Sequence, residues 1–340
     1  MSAYQDPIEA VVPELRALWR ELDVKPLWES AAPGSGPREA AHIWRWSDAL
    51  PMLLDTAKIV TPEVVERRVM VMVNPSAART GREATAGMLT GSLQTLLPGE
   101  RARPHRHTMD ALRFALTGEG AETIVDGKPC PMEPGDLILT PGWTWHEHIH
   151  HGAEPVIWLD VLNLMLHETF ATARFQPGPV REAEAQYDDA AFAVANMVPV
   201  MGWQNRSYSP VFRYPWAAAV EAVAAAPAAP DGSRRARYVN PMTGGSCMAL
   251  IDCSVLELPG ALETAPFRSS AGAICSVVEG VGISTFEDGS QIDWAPRDTF
   301  TLPPNQKVVH RAGPAGARLF VASDRAAYER LGLLREEFVA

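Results

Sequence analysis

The spacing of apolar residues changes character along the chain. Near the start, Leu15, Leu18 and Leu22 follow one another at intervals of three and four, which predicts an amphipathic helix. From about Arg67 the chain changes to short apolar runs that end in Gly, Pro or Asp-Gly, a pattern typical of antiparallel strands. We therefore expect a mainly β protein with a helical N-terminal arm.

A second region of short strands repeats the first. The alanine-rich run 215–226 predicts a helix between the two regions, because prolines follow it closely. When the second region is laid over the first with a shift of 162 residues, Gly118 and Gly120 fall on Gly280 and Gly282. Turn signals that agree in this way over two regions indicate a duplicated domain.

These patterns divide the chain into five segments. We expect a helical or irregular arm at 1–65, a first barrel at 66–165, a connecting helical segment and linker at 166–236, a second barrel at 237–325, and a C-terminal helix or tail at 326–340.

Composition excludes several functional classes. The 340 residues carry 30 basic and 41 acidic side chains, a net charge of −11, so the dense basic surface that a nucleic-acid partner requires is missing. No apolar run reaches the roughly 18–20 residues of a membrane span, and the N-terminus lacks a signal-peptide pattern. The four cysteines show no CxxC spacing, as expected of a reduced cytoplasmic protein.

Three histidines in the first region predict a metal site. His105 and His107 lie two residues apart on a predicted strand, so their side chains share one face. His146 follows at the end of another predicted strand. An isolated His-x-His pair is more often structural than metal-binding, and the prediction therefore depends on the third histidine. Three imidazoles that converge inside a barrel suit a divalent transition metal.

The sequence around these histidines resembles the two motifs of the cupin superfamily. Gly118 closes the first motif, and Gly135, Pro141 and His146 supply the second. At the position of the usual cupin glutamate this chain has Ala111. Three neutral histidines leave the charge of a divalent ion uncompensated, which favours an anionic chelating ligand and leaves room for a second small molecule such as dioxygen.

The second region lacks these ligands. Phe267, Ser269 and Val308 stand where the shift of 162 residues places the three histidines, and His310 aligns with His148. We therefore expect the second barrel to be metal-free and to act as a scaffold.

Longer segments resemble the gentisate 1,2-dioxygenase family, which includes salicylate and 1-hydroxy-2-naphthoate dioxygenases. They include PHRHTMDALRFALTGEGAETIVDG and PGDLILTPGWTWHEH. The resemblance implies a bicupin of two double-stranded β-helix (jelly-roll) barrels with N-terminal and inter-domain helices. It also implies Fe(II) on His105, His107 and His146, and commonly a homotetramer. The implied reaction uses O2 to cleave an aromatic hydroxy-acid substrate between the carboxyl-bearing carbon and the adjacent hydroxyl-bearing carbon.

Three further polar residues are candidates for catalysis. Arg113 suits recognition of a carboxylate or oxyanion, with a surface ion pair as the alternative. His148 is a candidate acid–base or a donor to the substrate hydroxyl, with a solvated turn histidine as the alternative. Asp160 has apolar neighbours and is expected to orient a histidine or an arginine, with a structural cap as the alternative.

Other residues are candidates for substrate binding. Gln94 is expected to face the cavity. Strand alternation allows only one of Arg67 and Arg68 to point inward, and we favour Arg68. Where family members have an aromatic residue, a small residue and Gly, this chain has Thr90, Gly91 and Ser92. This change predicts a reshaped pocket that prefers a substituted salicylate, with gentisate and 1-hydroxy-2-naphthoate as alternatives.

Two other functions compete with ring cleavage. One is a non-oxidative metal-dependent isomerase or decarboxylase on the same fold, although such enzymes usually keep the glutamate that Ala111 replaces. The other is a non-catalytic metal-binding bicupin, a class that typically has degraded motifs in both halves.

Overall fold

The computed structural model describes residues 12–27, 38–180, 186–194, 197–200 and 206–339. Part of the predicted N-terminal arm lies outside these ranges. The predicted first helix is present as α1 (Val12–Glu21). Among the described residues, no helix combines the length and the apolar character needed to cross a membrane.

Two short strands and several helices precede the eight consecutive strands of the first barrel. They are β1 (Ile43–Trp44), α2 (Trp46–Ile59), α3 (Pro62–Val65), β2 (Val69–Met72) and α4 (Pro75–Ala78).

The first barrel consists of two antiparallel sheets built largely from eight consecutive strands. These strands are β3 (Thr90–Leu96), β4 (Arg101–His107), β5 (Ala111–Thr117), β6 (Ala121–Val125), β7 (Lys128–Met132), β8 (Leu137–Thr140), β9 (His146–His150) and β10 (Val156–Leu162). Turns between them use glycines with positive φ, including Gly118 and Gly127, where other residues would be strained.

The predicted connecting segment contributes strands to the first barrel. Its elements are α5 (Leu164–Thr169), β11 (Phe175–Pro177), a 3₁₀ turn (Asp189–Phe192), β12 (Arg213–Tyr214) and α6 (Trp216–Ala225). One sheet has the order β12-β8-β5-β10-β3-β2 and the other has the order β11-β4-β9-β6-β7.

The second barrel is a single nine-stranded sheet. Its elements are β13 (Arg234–Arg237), β14 (Asp252–Leu258), β15 (Phe267–Ser269), β16 (Ala273–Phe286), β17 (Gln291–Trp294), β18 (Thr299–Leu302), β19 (Lys307–Ser323), α7 (Arg325–Arg330) and β20 (Glu336–Phe338). The main path is β1-β18-β16-β19-β14-β13, with β15, β17 and β20 paired at its sides. The mainly β, two-barrel prediction is confirmed.

Strand pairing crosses the predicted domain boundaries. β1, from the predicted arm, pairs with β18 of the second barrel. β13 begins at Arg234, three residues before the predicted start of that barrel, and β20 of the predicted tail pairs with β15. These edge pairings join segments that are distant in sequence, so the local pattern of turns does not reveal them.

The two barrels share a structural detail that supports their origin by duplication. In the first, Thr123 on β6 lies opposite His148 on β9, with 2.9 Å between Oγ1 and Nδ1. In the second, Ser284 on β16 lies opposite His310 on β19, with 2.8 Å between Oγ and Nδ1. A hydroxyl–imidazole pair is therefore kept at matching places.

One hydrophobic core extends across both barrels. Phe114 of β5 stacks on Phe320 of β19, with ring centroids 4.0 Å apart and planes inclined by 7°. Both rings are fully buried. The hydrophobic cluster that contains them includes residues of both barrels. The contact removes apolar surface from water on both barrels at once, which stabilises their association.

Replacing Phe320 with alanine should therefore destabilise the protein strongly. We expect the free energy of unfolding in urea to fall by about 3–5 kcal/mol, because the substitution leaves a cavity in the shared core. Phe170→Ala is the matched control, since this ring is 61% exposed, and it should change stability by less than about 1 kcal/mol. Equal losses in the two variants would contradict a shared core at Phe320.

Candidate metal centre and substrate cavity

The three predicted ligands converge inside the first barrel. His105 lies directly opposite His146 where β4 pairs with β9, and His107 follows on the same face of β4. Their ring centroids are 4.2–5.7 Å apart, and one nitrogen of each lies within 4.8 Å of the others. All three side chains are buried. This is the spacing that a single metal ion requires.

Backbone carbonyl groups fix the orientation of each ring. Nδ1 of His105, His107 and His146 lies 3.0, 2.9 and 3.1 Å from the carbonyl oxygens of Arg103, Met109 and Thr144, respectively. A carbonyl oxygen only accepts, so each Nδ1 carries the hydrogen and each Nε2 keeps its lone pair. Outer hydrogen bonds of this kind are usual for metal-binding histidines.

The electrostatic surroundings keep these ligands neutral. Burial and the charge of Arg67 lower the pKa of His105 to about 2, and burial lowers the pKa of His107 to about 4. Burial also lowers the pKa of His146 well below its usual value. Nε2 of His146 is buried and has no hydrogen-bond partner among the described residues. Neutral imidazoles with available lone pairs fit a divalent transition metal.

No carboxylate completes the cluster within the described part of the chain. Ala111 lines the adjoining cavity at the place of the usual cupin glutamate, as the motif predicted. A bound divalent ion would therefore keep its charge until an anionic ligand arrived.

A stacked arginine braces the ligand strands on their outer side. Arg106, between two ligands on β4, lies between the rings of Trp143 and Trp145, 4.5 and 4.7 Å from their centroids. Its Nε also donates to Gln176 of β11 at 2.8 Å. The two tryptophans thus help hold β4 against the loop that precedes His146.

A cavity of about 230 Å³ opens beside the metal ligands. Strand register explains which side chains reach it: Ser92, Asp160 and Arg113 lie opposite one another on β3, β10 and β5. Because facing residues on neighbouring strands point to the same side of a sheet, these three share the cavity wall. Gln94 also lines it.

Arg113 is held rigidly by its neighbours. Its Nε lies 3.4 Å from Oδ1 of Asp160 and 3.2 Å from Nε2 of His148, and its Nη1 donates to Oγ1 of Thr140. Trp158 donates to the same Asp160 oxygen at 3.1 Å. Asp160 therefore orients an arginine, in agreement with the first of its two predicted roles.

Burial also sets the charge of this group. It lowers the pKa of Arg113 to about 10 and raises that of Asp160 to about 6 against the opposing effect of Arg113. At pH 7 the guanidinium is still charged, and the carboxylate beside it is largely ionised. This part of the cavity wall therefore presents the charged guanidinium of Arg113, held in place by Asp160. Such a cation is suited to bind a negatively charged ligand oxygen.

His148 lies behind Arg113 rather than on the cavity wall. Nδ1 pairs with Thr123, and Nε2 accepts from Arg113. In this arrangement neither ring nitrogen is available for the predicted bond to a substrate hydroxyl. Burial lowers the pKa of His148 well below its usual value, so the ring is neutral.

The preference for Arg68 over Arg67 was wrong. Arg68 points away from the cavity and forms a buried ion pair with Glu100, including a contact of 2.8 Å between Nη1 and Oε1. Arg67 lines the cavity, and its Nη1 lies 2.5 Å from Nε2 of His105. Both residues precede β2, so strand alternation could show that only one points inward but not which one.

The predicted polar residues of β3 divide into two groups. Gln94 and Ser92 line the cavity, and the buried Nε2 of Gln94 has no partner among the described residues. Thr90 lies opposite Leu162 on the same face, but it is not among the cavity-lining residues, and its hydroxyl lies 3.5 Å from the carbonyl of Glu83.

Sequence reasoning missed Thr140 and Thr123. Both are fully buried and hold Arg113 and His148 in place. The only indication in the sequence was that each threonine occupies an inward position of a strand. Threonines at such positions are also common in ordinary cores, so they do not indicate a site.

Removing one ligand should abolish metal binding and leave the fold intact. We expect His146→Ala to hold less than about a tenth of the metal of the wild-type protein after anaerobic Fe(II) reconstitution, because two imidazoles remain. Elemental analysis measures the metal, and circular dichroism checks the fold. His151→Ala is the matched control, since His151 is exposed and lies outside the cluster. Full metal content in His146→Ala would refute the site.

Comparison with known proteins agrees with this geometry. Residues 92–162 match the family described as Cupin domain. The chain is 35% identical to gentisate 1,2 dioxygenase 1 of Aquipseudomonas alcaligenes over 96% of this chain and 97% of that protein. It is 33% identical to 5-aminosalicylate 1,2-dioxygenase of a Comamonas species, over 88% and 81% of the two chains.

A solved structure gives the same result for the fold. The salicylate 1,2-dioxygenase of Pseudoaminobacter salicylatoxidans, in a structure of its adducts with gentisate, matches with a TM-score of 0.87 and 29% identity over 96% of this chain and 94% of that one. With two cupin barrels, a three-histidine centre and full-length similarity to these enzymes, the chain belongs to the gentisate and salicylate 1,2-dioxygenase family of aromatic ring-cleaving dioxygenases.

Proposed function

We propose that this protein is an Fe(II)-dependent dioxygenase that cleaves the ring of a salicylate-like acid between the carboxyl-bearing carbon and the adjacent hydroxyl-bearing carbon. A substituted salicylate is the proposed preferred substrate. The observation that carries the proposal is the position of Arg67 and Arg113 in one cavity beside three neutral imidazoles.

The ligand set suits the proposed iron. His105, His107 and His146 would hold it through their Nε2 atoms, since each Nδ1 is committed to a carbonyl group. When bound, iron supplies the Lewis-acid and redox chemistry that lets dioxygen react with the ring. A metal held by three protein ligands would keep room for an anionic, chelating substrate and for a small molecule such as O2.

The protein itself binds and orients the substrate. Arg113, fixed by Asp160, and Arg67 offer charged donors to the substrate carboxylate and to negative charge that develops during the reaction. Gln94 offers a buried amide without a protein partner for a hydroxyl or ring substituent. We propose that His148 acts by positioning Arg113 and tuning its charge.

The reaction balances with O2 as the only co-substrate. The ring carbon–carbon bond breaks, both oxygen atoms enter the product, and an aromatic hydroxy acid becomes a ring-opened oxo-dicarboxylate. Mass spectrometry after turnover under ¹⁸O2 should show two labelled atoms. One labelled atom or none would contradict the proposal, and equal turnover under argon would favour the non-oxidative isomerase or decarboxylase.

Substrate preference depends on the cavity wall formed by β3. Thr90 lies on the same face of β3 as the cavity-lining Ser92 and stands where the family resemblance places an aromatic side chain, so the smaller residue leaves room for a ring substituent. Oxygen uptake with gentisate, salicylate, 5-substituted salicylates and 1-hydroxy-2-naphthoate should show the highest kcat/KM for a substituted salicylate. The highest kcat/KM for gentisate would contradict this preference.

The two neighbouring arginines should respond differently to mutation. Arg67→Gln should raise KM about tenfold or more, a loss of roughly 1.4 kcal/mol in binding, with little change in thermal stability. Arg68→Gln should lower the melting temperature and leave KM near the wild-type value, because it removes the partner of Glu100. Steady-state oxygen uptake and thermal unfolding separate the two. A raised KM in Arg68→Gln together with an unchanged KM in Arg67→Gln would show that Arg68, and not Arg67, binds the substrate.

We also propose a homotetramer in the cytoplasm. The family resemblance supports the tetramer, and the four cysteines, all buried and free, suit a reducing compartment. Light scattering coupled to size exclusion would measure the assembly.

A further inference from the structure

The second barrel contains a cavity that is larger than the one beside the metal ligands of the first barrel. Its volume is about 420 Å³, against about 230 Å³ beside the metal ligands. Phe267, Ser269 and Val308, which align with the three metal ligands under the shift of 162 residues, all line it. The second copy therefore lost the ligands but kept an interior space of the size that small-molecule sites have.

His310 presents an unpaired hydrogen-bond donor to this cavity. It lines the cavity and is only 4% exposed. Ser284 Oγ, which lies 2.8 Å from Nδ1, already accepts from Nε1 of Trp294 at 2.9 Å. In the tautomer in which the Ser284 hydroxyl donates its hydrogen to Nδ1, the neutral ring carries its own hydrogen on Nε2. Nε2 has no hydrogen-bond partner among the described residues.

The surroundings of His310 keep its ring neutral. Burial, assisted by the charge of Arg235, lowers the pKa of His310 to about 4. Near pH 7 the ring is therefore neutral and carries a single N–H.

Arg235 provides a second donor at the same cavity. Nη2 donates to the buried Asp231 at 2.5 Å, and Nε donates to Ser233 at 3.2 Å. The guanidinium lies 4.6 Å from the ring centroid of Phe267 and 5.7 Å from that of Phe338. These contacts hold it in place, while Nη1 has no partner among the described residues.

The other charged groups that line the cavity are already paired. Those pairs are Arg237–Asp252 (2.9 Å), Arg325–Asp252 (3.5 Å), Arg325–Glu336 (3.1 Å) and Arg268–Glu337 (3.2 Å). The cavity therefore combines balanced charges, an apolar wall that includes Val308 and Val321, and two available donors. Two donors beside an aromatic and aliphatic wall suit a carboxylate attached to a ring.

We propose that the second barrel is a metal-free binding site for an aromatic monocarboxylate. Arg235 and His310 hold the carboxylate, and the ring packs against Phe267 and Val308. Because no metal takes part, an ortho-hydroxyl group is not required. The site is separate from the metal centre, and its occupation does not depend on ring cleavage.

The test is the number of 4-fluorobenzoate molecules bound per chain, measured by ¹⁹F NMR titration under argon. Protein treated with a chelator, in which binding at the metal is excluded, should still bind one molecule through the second barrel. Arg235→Gln should weaken this binding at least tenfold, and Arg318→Gln should leave it unchanged, because Arg318 lies on β19 and is paired with Glu257 and Glu279, and none of these three residues lines the cavity. The neutral 4-fluorobenzyl alcohol should bind at least tenfold more weakly.

A second variant guards against a misfolded Arg235→Gln protein. Val308→Phe places a ring within the cavity and should also abolish the binding that survives chelation, and thermal unfolding checks that each variant is folded. Chelated protein that binds no 4-fluorobenzoate, or binding that is unchanged in both folded variants, would overturn the proposal. Oxygen uptake with a salicylate measures the activity of the metal centre separately. Failure of the second-barrel site can therefore be distinguished from failure of the proposed dioxygenase function.

Discussion

Burial of three imidazoles in the dry interior of the first barrel is the constraint on which the rest of the site depends. Protonation inside the barrel is costly, so His105 and His107 are neutral at pH values where exposed histidines begin to charge. The carbonyl groups that accept from Nδ1 then leave each Nε2 with its lone pair, which in His105 accepts from Arg67. Because the three ligands are neutral, the charge of a divalent ion bound there would have to be balanced by an anionic ligand from outside the cluster.

The arginines follow from the same constraint. A buried cation is costly unless it is paired, and Arg113 is stabilised by Asp160, which the strand register brings next to it. The pairing holds the guanidinium in one orientation and leaves its charge beside the metal ligands. An acidic chain with a net charge of −11 therefore contains a cavity suited to an anion, because whole-chain charge governs long-range attraction and local pairing governs recognition.

After the duplication, the two barrels have different roles: the first contains the metal centre, and the second supports it. Phe114 and Phe320 join the two barrels through one core, so the second copy stabilises the first. With the metal ligands replaced by Phe267, Ser269 and Val308, the second interior is free to evolve another use. The hydroxyl–imidazole pair present in both barrels shows how closely the two interiors still correspond.

The sequence alone determined the strand-rich duplicated fold, the three metal ligands and the loss of the cupin glutamate at Ala111, because alternation and motif spacing are local properties. Tertiary structure decided what depends on packing between distant segments: that Arg67 rather than Arg68 faces the cavity, that His148 lies behind Arg113, and that edge strands such as β1 and β20 cross the predicted boundaries. Side-chain direction just outside a strand and the choice of a pairing partner depend on the whole barrel, and no local pattern carries that information.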